Sequence, residues 1–132
     1  MVFNPEESIE FHGFTGPFIQ FSYARTKSIL RKEMPTGNFA SKELLPLEKS
    51  LIVEFEKYPS VLQEARIEMN PSALATYVFR LSQTLNSFVT VHKVLTAETP
   101  EKKELRLQLA QMTANIIQSA LAILGIRAPE RM

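Results

Sequence analysis

Apolar positions recur every three to four residues along most of this chain, and proline and glycine divide the recurrence into segments. Residues 1–16 lack that period: Pro5, Gly13 and Gly16 interrupt them, and Phe3, Phe11 and Phe14 fall irregularly. Thr15-Gly16-Pro17 then reads as a helix start, because proline at the first helical position gives up an N–H that has no helical partner there. The helix is expected to run to about Glu33 and to stop before Pro35 and Gly37, which read as a loop.

Leu44, Leu47, Leu51, Phe55 and Tyr58 step by 3, 4, 4 and 3, an amphipathic stripe that leaves Glu48, Glu54, Glu56 and Lys57 outside. Pro59 is expected to end that helix. Ser60 with Gln63 three residues on has the pattern of a capping box, predicting a separate short helix to about Met69. Asn70-Pro71 opens a long helix with the stripe Leu74, Val78, Leu81, Leu85 and Phe88. Thr99-Pro100 repeats the start signal. Leu105, Leu109, Met112, Ile116, Ala120 and Ile123 form the last stripe, and Gly125 is placed to end that helix. No segment alternates with period two over a useful length. The predicted fold is all-α, an antiparallel bundle of four to five helices with short loops.

At 132 residues, 45% hydrophobic and 22% charged, the chain has the material for one domain. There is no cysteine, which removes disulfides, thiolate metal sites and cysteine nucleophiles. All fourteen acids are glutamate, which excludes any chemistry that needs an aspartate. The net charge of +1 exerts no general pull on nucleic acid or membrane. The longest apolar stretch, Leu121 to Ile126, is short of a membrane span, and the N-terminus has no signal-peptide pattern. The expectation is a soluble cytoplasmic chain with no membrane partner. Charge is uneven, +4 and −6 over residues 41–69 against +7 and −4 over residues 70–132.

On a wheel of about 100° per residue, Ile19, Tyr23, Thr26 and Leu30 gather on one face of the first helix, the core face. Phe18, Phe21, Arg25 and Lys32 gather on another. Aromatic faces stack on unpaired bases while arginine donates to phosphates or base edges, so this second face suits single-stranded nucleic acid. By pattern alone the plainer reading of this face is packing on another helix, with Arg25 and Lys32 snorkelling at the rim. His12 and His92 stand about eighty positions apart with no local ligand set, and Glu6, Glu7 and Glu10 read as a solvated segment. His92 reads as a helix-end residue. Lys102, Lys103 and Arg106, alternating with Glu101 and Glu104, read as a solvated face with local ion pairs. No phosphate loop, Ser–His–acid set or HExxH motif is present, so the chain by itself reads as neither an enzyme nor a metal protein.

Gly13-Phe14-Thr15-Gly16-Pro17-Phe18-Ile19-Gln20-Phe21-Ser22-Tyr23-Ala24-Arg25, with Ser28-Ile29-Leu30-Arg31-Lys32 behind it, is similar to the GNTGPYxQYAxAR stretch of the arginyl-tRNA synthetase family. The likeness continues through Asn70-Pro71, the Tyr77–Phe88 helix, Lys103-Glu104-Leu105-Arg106, Leu124-Gly125-Ile126 and the terminal Pro129-Glu130-Arg131-Met132. Over residues 11–132 the chain resembles that family's C-terminal anticodon-binding module, the DALR domain.

The resemblance implies an anticodon contact set of Phe18, Phe21, Ala24, Arg25, Val89, Lys93 and Met132, with Ala24 small enough to let a base approach. It implies residues 1–16 as an irregular connection from a catalytic core and 17–132 as the helical anticodon-binding domain. The partners it implies are the anticodon loop of an arginine-accepting tRNA and the catalytic domain of the same synthetase, in a monomer. A full-length ligase of this kind uses ATP and magnesium. This chain lacks the HIGH and KMSK signatures, so no cofactor and no catalytic residue is expected in it. Departures from the pattern matter. Phe replaces Tyr at 18 and 21, removing two hydroxyls; Val89 stands where an aromatic is common; Tyr23 replaces a frequent histidine; the name-giving aspartate is absent, with Glu104 the nearest acid in a position that reads as structural. The competing expectation is a helical protein–protein interaction module without an RNA partner.

Overall fold

The structure, a computed structural model, describes residues 16–37, 43–69, 71–92 and 94–126. Their regular structure is four helices: α1 (Gly16–Lys32), α2 (Pro46–Ile67), α3 (Pro71–Val91) and α4 (Pro100–Leu124). Residues 1–15 of the expected connection, the Asn70 cap, Lys93 and the tail from Arg127 to Met132 lie outside the described residues.

Cross-helix contacts fix the directions. Phe18 meets Phe79 and Arg25 meets Asn86, so α1 and α3 run parallel. Glu48 meets Arg106 and Tyr58 meets Ser119, so α2 and α4 also run parallel. The three-residue turn from α2 to α3 reverses the chain, so consecutive helices alternate in direction, the up-and-down arrangement short loops favour. Helices α3 and α4 pack on each other and on both of the others, and α1 and α2 flank that central pair with little contact between them.

The start and stop signals near α4 act as expected. Thr99 Oγ1 accepts from the Lys102 N–H at 3.1 Å, and Gly125 closes the helix in the left-handed region at φ 75°. The Ile126 N–H then reaches back to the Leu121 carbonyl at 2.8 Å. The α1 and α3 stripes are the core: Ile19, Tyr23, Thr26, Leu30, Leu74, Val78, Leu81, Leu85 and Phe88 are all buried. Polar groups within that core bond their own helix. Thr26, Ser82 and Thr113 donate to the carbonyls of Ser22, Val78 and Leu109 at 2.7–2.9 Å.

Four expectations are corrected. First, Pro59 does not end a helix: α2 continues through it as a single element, and Ser60 starts nothing. Pro59 lacks the N–H that the Phe55 carbonyl would accept, a cost of about 3 kcal/mol in an isolated helix. Phe55 and Tyr58 before it, with Val61, Leu62 and Ala65 after it, all pack on the core, so burial on both sides outweighs the missing rung. One turn away the Tyr77 hydroxyl donates to the Glu54 carbonyl, and the Tyr58 and Tyr77 rings stack at 5.6 Å.

Second, Glu48 is not outside; its side chain is fully buried. Third, the Lys102–Arg106 turn is not a solvated face, because Arg106 is also fully buried and Glu104 nearly so. Fourth, the α4 stripe is rotated. Met112 and Ile123 are 48% and 56% exposed, while Ala110, Thr113, Ala114, Ile117 and Leu121 join Leu109 and Ala120 inside. Both stripes have helical spacing; the one that packs includes Ala110, Ala114 and Ala120 with Leu109, Ile117 and Leu121. By length and composition α4 could also cross a membrane, but here it is the core helix touching all three others.

Candidate nucleic-acid interface

The parallel pair α1 and α3 forms a ridge of mixed aromatic and polar character. On α1, Phe18, Phe21 and Arg25 recur at spacings of three and four, which places them on one side of the helix. Phe79, Asn86 and Thr90 answer them from α3. The two sides interlock at both ends. The Phe18 and Phe79 rings meet edge to face with centroids 5.5 Å apart, the geometry the ring quadrupoles favour. One and a half to two turns further on, Arg25 Nη1 donates to Asn86 Oδ1 at 2.8 Å and, more distantly, to Thr90 Oγ1 at 3.4 Å. Among the described residues no carboxylate pairs with Arg25. The guanidinium is therefore held in place by neutral partners.

Exposure separates the expected contact set. Phe21 is 50% exposed, a large apolar ring turned to solvent one helical turn before Arg25. Phe18 and Arg25 are half-buried, and Val89 is half-buried against the core from α3. Ala24 is buried, at 6% exposed, so it is the least accessible of the group. Lys32 is exposed at the end of α1. Lys93 and Met132 lie outside the described residues. The structure thus brings Phe18, Phe21 and Arg25 together on one ridge with α3 alongside, and adds three residues that the sequence does not single out: Phe79, Asn86 and Thr90. Their spacing of seven and four places them on one face of α3, but a helix face in sequence does not reveal which neighbour it meets.

The other expected structural position, Glu104, sits in the second turn of α4 and holds a loop. Its carboxylate accepts from the Gly37 N–H at 2.7 Å, the Thr36 N–H and hydroxyl at 3.1 Å each, and Gln108 at 3.1 Å. Gly37 occupies the left-handed region at φ 79°, where only glycine is unstrained. Burial pushes the Glu104 carboxyl up, but these donors outweigh it and hold it below the usual range. Lys103 pairs with Glu33 at the end of α1 at 2.7 Å. This turn ties the α1–α2 connection to α4 and has no part in the aromatic ridge.

Known proteins share this architecture. Residues 19–132 match the DALR anticodon binding domain family. The arginine–tRNA ligase of Flavobacterium psychrophilum is 45% identical across the whole of this chain, which covers 22% of that protein. The arginine–tRNA ligase of Parabacteroides distasonis is 41% identical, again across the whole chain and 23% of its own length. The solved arginyl-tRNA synthetase of Thermus thermophilus superposes with a TM-score of 0.85 at 34% identity, over 98% of this chain and 23% of that one. A solved structure from Campylobacter jejuni, 21% identical with a TM-score of 0.72, has the same fold. The chain spans less than a quarter of the length of the curated relatives it matches.

Proposed function

The chain belongs to the DALR anticodon-binding domain family, and from that premise we propose that it is the anticodon-reading part of a longer arginine–tRNA ligase. Its partner is the anticodon loop of an arginine-accepting tRNA. In RNA, sequence is read from unstacked bases, by stacking on aromatic rings and by hydrogen bonds to base edges. The observation that carries the reading is the half-exposed Phe21 ring one turn before an Arg25 held by Asn86. Phe21 supplies a stacking surface. Arg25 supplies donors beside it.

Phe18 anchors its end of the ridge through its contact with Phe79. Buried Ala24 acts by its small bulk, and Val89 gives apolar contact where an aromatic would stack. Lys93 and the terminal Met132 complete the set as a backbone cation and an adaptable apolar group. We assign residues 17–132 to the anticodon domain and residues 1–16 to the connection from a catalytic domain, the second partner. The whole protein would work as a cytoplasmic monomer that joins arginine to its tRNA. ATP and magnesium belong to its catalytic domain; the present residues, without the HIGH and KMSK signatures, do not fit them.

The test is fluorescence anisotropy of a labelled arginine-tRNA anticodon stem-loop titrated with this chain at low salt, beside a loop with altered anticodon bases. The expected result is preference for the cognate loop, lost in Arg25→Ala and on deletion of Met132. The affinity should fall with salt by close to one unit of log–log slope per phosphate contact. Equal binding to both loops would overturn anticodon reading, and no binding at low salt would favour a protein partner on this face.

A further inference from the structure

We propose that Asn86 is a specificity-setting residue of the RNA-reading ridge, acting as a clamp on Arg25 and as a second hydrogen-bond donor beside it. The proposal rests on the reading of that ridge as the anticodon site. It adds a residue on α3 that recognition by sequence likeness did not supply.

The geometry begins with an oriented amide. Asn86 Oδ1 accepts from Arg25 Nη1 at 2.8 Å, which identifies the oxygen side of the amide and turns its NH2 group away from the guanidinium. Thr90 Oγ1, one turn further along α3, takes the same Arg25 nitrogen at 3.4 Å. Nη1 is thereby committed to α3. Arg25 Nε and Nη2 and the Asn86 NH2 group have no acceptor among the described residues. What the pair offers to a ligand is thus chiefly donors, from two groups held in register on two helices.

A donor-rich edge selects an acceptor edge. Phosphate oxygens and base carbonyl or ring-nitrogen edges both qualify. Two observations favour the base edge. The groups that touch Arg25 are an amide and a hydroxyl, which grade hydrogen-bond geometry without adding charge. The half-exposed Phe21 ring lies one turn before Arg25, so a base stacked on it lies within one helical turn of the donors. A long arginine without the clamp would follow any acceptor. Clamped, it accepts one arrangement and leaves half-buried donors poorly paired in the others, which is how a polar site rejects the wrong partner.

The test uses this chain with the cognate and the altered anticodon stem-loops. Asn86→Leu is close in size and removes the clamp and the donors without adding charge. Asn86→Asp keeps an acceptor on Arg25, so α1 and α3 stay joined, but removes the donors. Thermal melts of both should stay near wild type, more so for N86D. The expected result is a cognate-to-altered affinity ratio about tenfold smaller in each, the size of one hydrogen bond to a charged or oriented group. Adding N86L to Arg25→Ala should cause a smaller further loss in the ratio than N86L causes alone, the part carried by the Asn86 donors. A ratio that stays at the wild-type value in either single variant overturns the proposal, as does equal loss on both loops in N86L, which would mean a backbone contact. If Arg25→Ala itself leaves the ratio unchanged, the reading of the ridge falls; if only the Asn86 variants do, that reading stands and the role of Asn86 falls.

Discussion

Arg106 on α4 donates through Nε to Glu48 Oε2 on α2 at 3.1 Å, across 58 positions of sequence, with both side chains fully buried. Neither charge is left incomplete. The other Glu48 oxygen accepts the Leu45 N–H and Lys102 Nζ, each at 2.8 Å, so the same carboxylate caps the start of α2. The two terminal nitrogens of Arg106 make a bidentate pair with Glu98 at 3.2 and 3.0 Å. This cluster joins the start of α2, the start of α4 and the loop between α3 and α4.

Breaking the pair from one side leaves a buried charge with too few partners. Glu48→Ala or Arg106→Ala should each cost about 3 kcal/mol in urea unfolding. Replacing both, as Glu48→Leu with Arg106→Met, should cost clearly less than the sum of the two. Additive losses would show that the two charges act independently.

The same cluster sets the response to acid. Burial pushes the Glu48 carboxyl up, but the Leu45 N–H, Lys102 and Arg106 outweigh it and hold it below the ordinary 4.5. Arg106 holds Glu98 down in the same way, and the Thr36 and Gly37 donors hold Glu104 down. A carboxylate depressed in the folded state binds protons more readily when unfolded. Its stabilisation is complete above the unfolded value and disappears as pH falls through the folded one. Stability should therefore be flat from neutrality to about pH 5 and fall steeply below about 4.5. Glu48→Gln should be less stable at pH 7 and show a shallower acid limb in denaturant titrations.

Pro59→Ala should raise stability. It restores an N–H to the Phe55 carbonyl in the middle of α2, offset in part by a more flexible unfolded chain. The expected gain is about 1–2 kcal/mol by thermal melting, with RNA binding unchanged because α2 has no part in the ridge. A loss of stability would mean that the bundle needs the altered geometry proline imposes there.

The two phenylalanines of α1 should separate by phenotype. Phe21→Ala removes a half-exposed ring and should cost ~1–3 kcal/mol of stem-loop binding with little change in melting temperature. Phe18→Ala removes the contact with Phe79 and should lower the melting temperature as well as binding. Matching losses of stability in the two variants would place Phe21 in the core instead.

The ridge of α1 and α3 is partly legible in the order of residues alone. Phe18, Phe21 and Arg25 separate from the core stripe of α1 by helical angle, because Ile19, Tyr23, Thr26 and Leu30 claim the other side. Phe79, Asn86 and Thr90 are not legible, since nothing local to α3 says which helix lies beside it. Ala24 is legible as small but not as buried. The charged turn at 102–106 misleads for a related reason: alternating Lys and Glu look the same whether their partners are one turn away or on another helix.

What the sequence determined by itself is whatever depends on neighbours in the chain. Thr99-Pro100 and Gly125 set the ends of α4, the apolar period set α1 and α3, and the absence of strand alternation set the all-α class. Tertiary structure decided what depends on competition between packing and local preference. It carried α2 through Pro59, because apolar residues on both sides of the proline are held by the core. It chose the Ala110, Ala114, Ile117 and Leu121 face of α4 over the equally periodic Met112 and Ile123 stripe, because that is the face its three neighbours meet. It also drew Glu48 and Arg106 out of water, since each found there a partner that no local rule could have named. A pattern fixes which faces a helix has; only the assembled bundle fixes what each face meets.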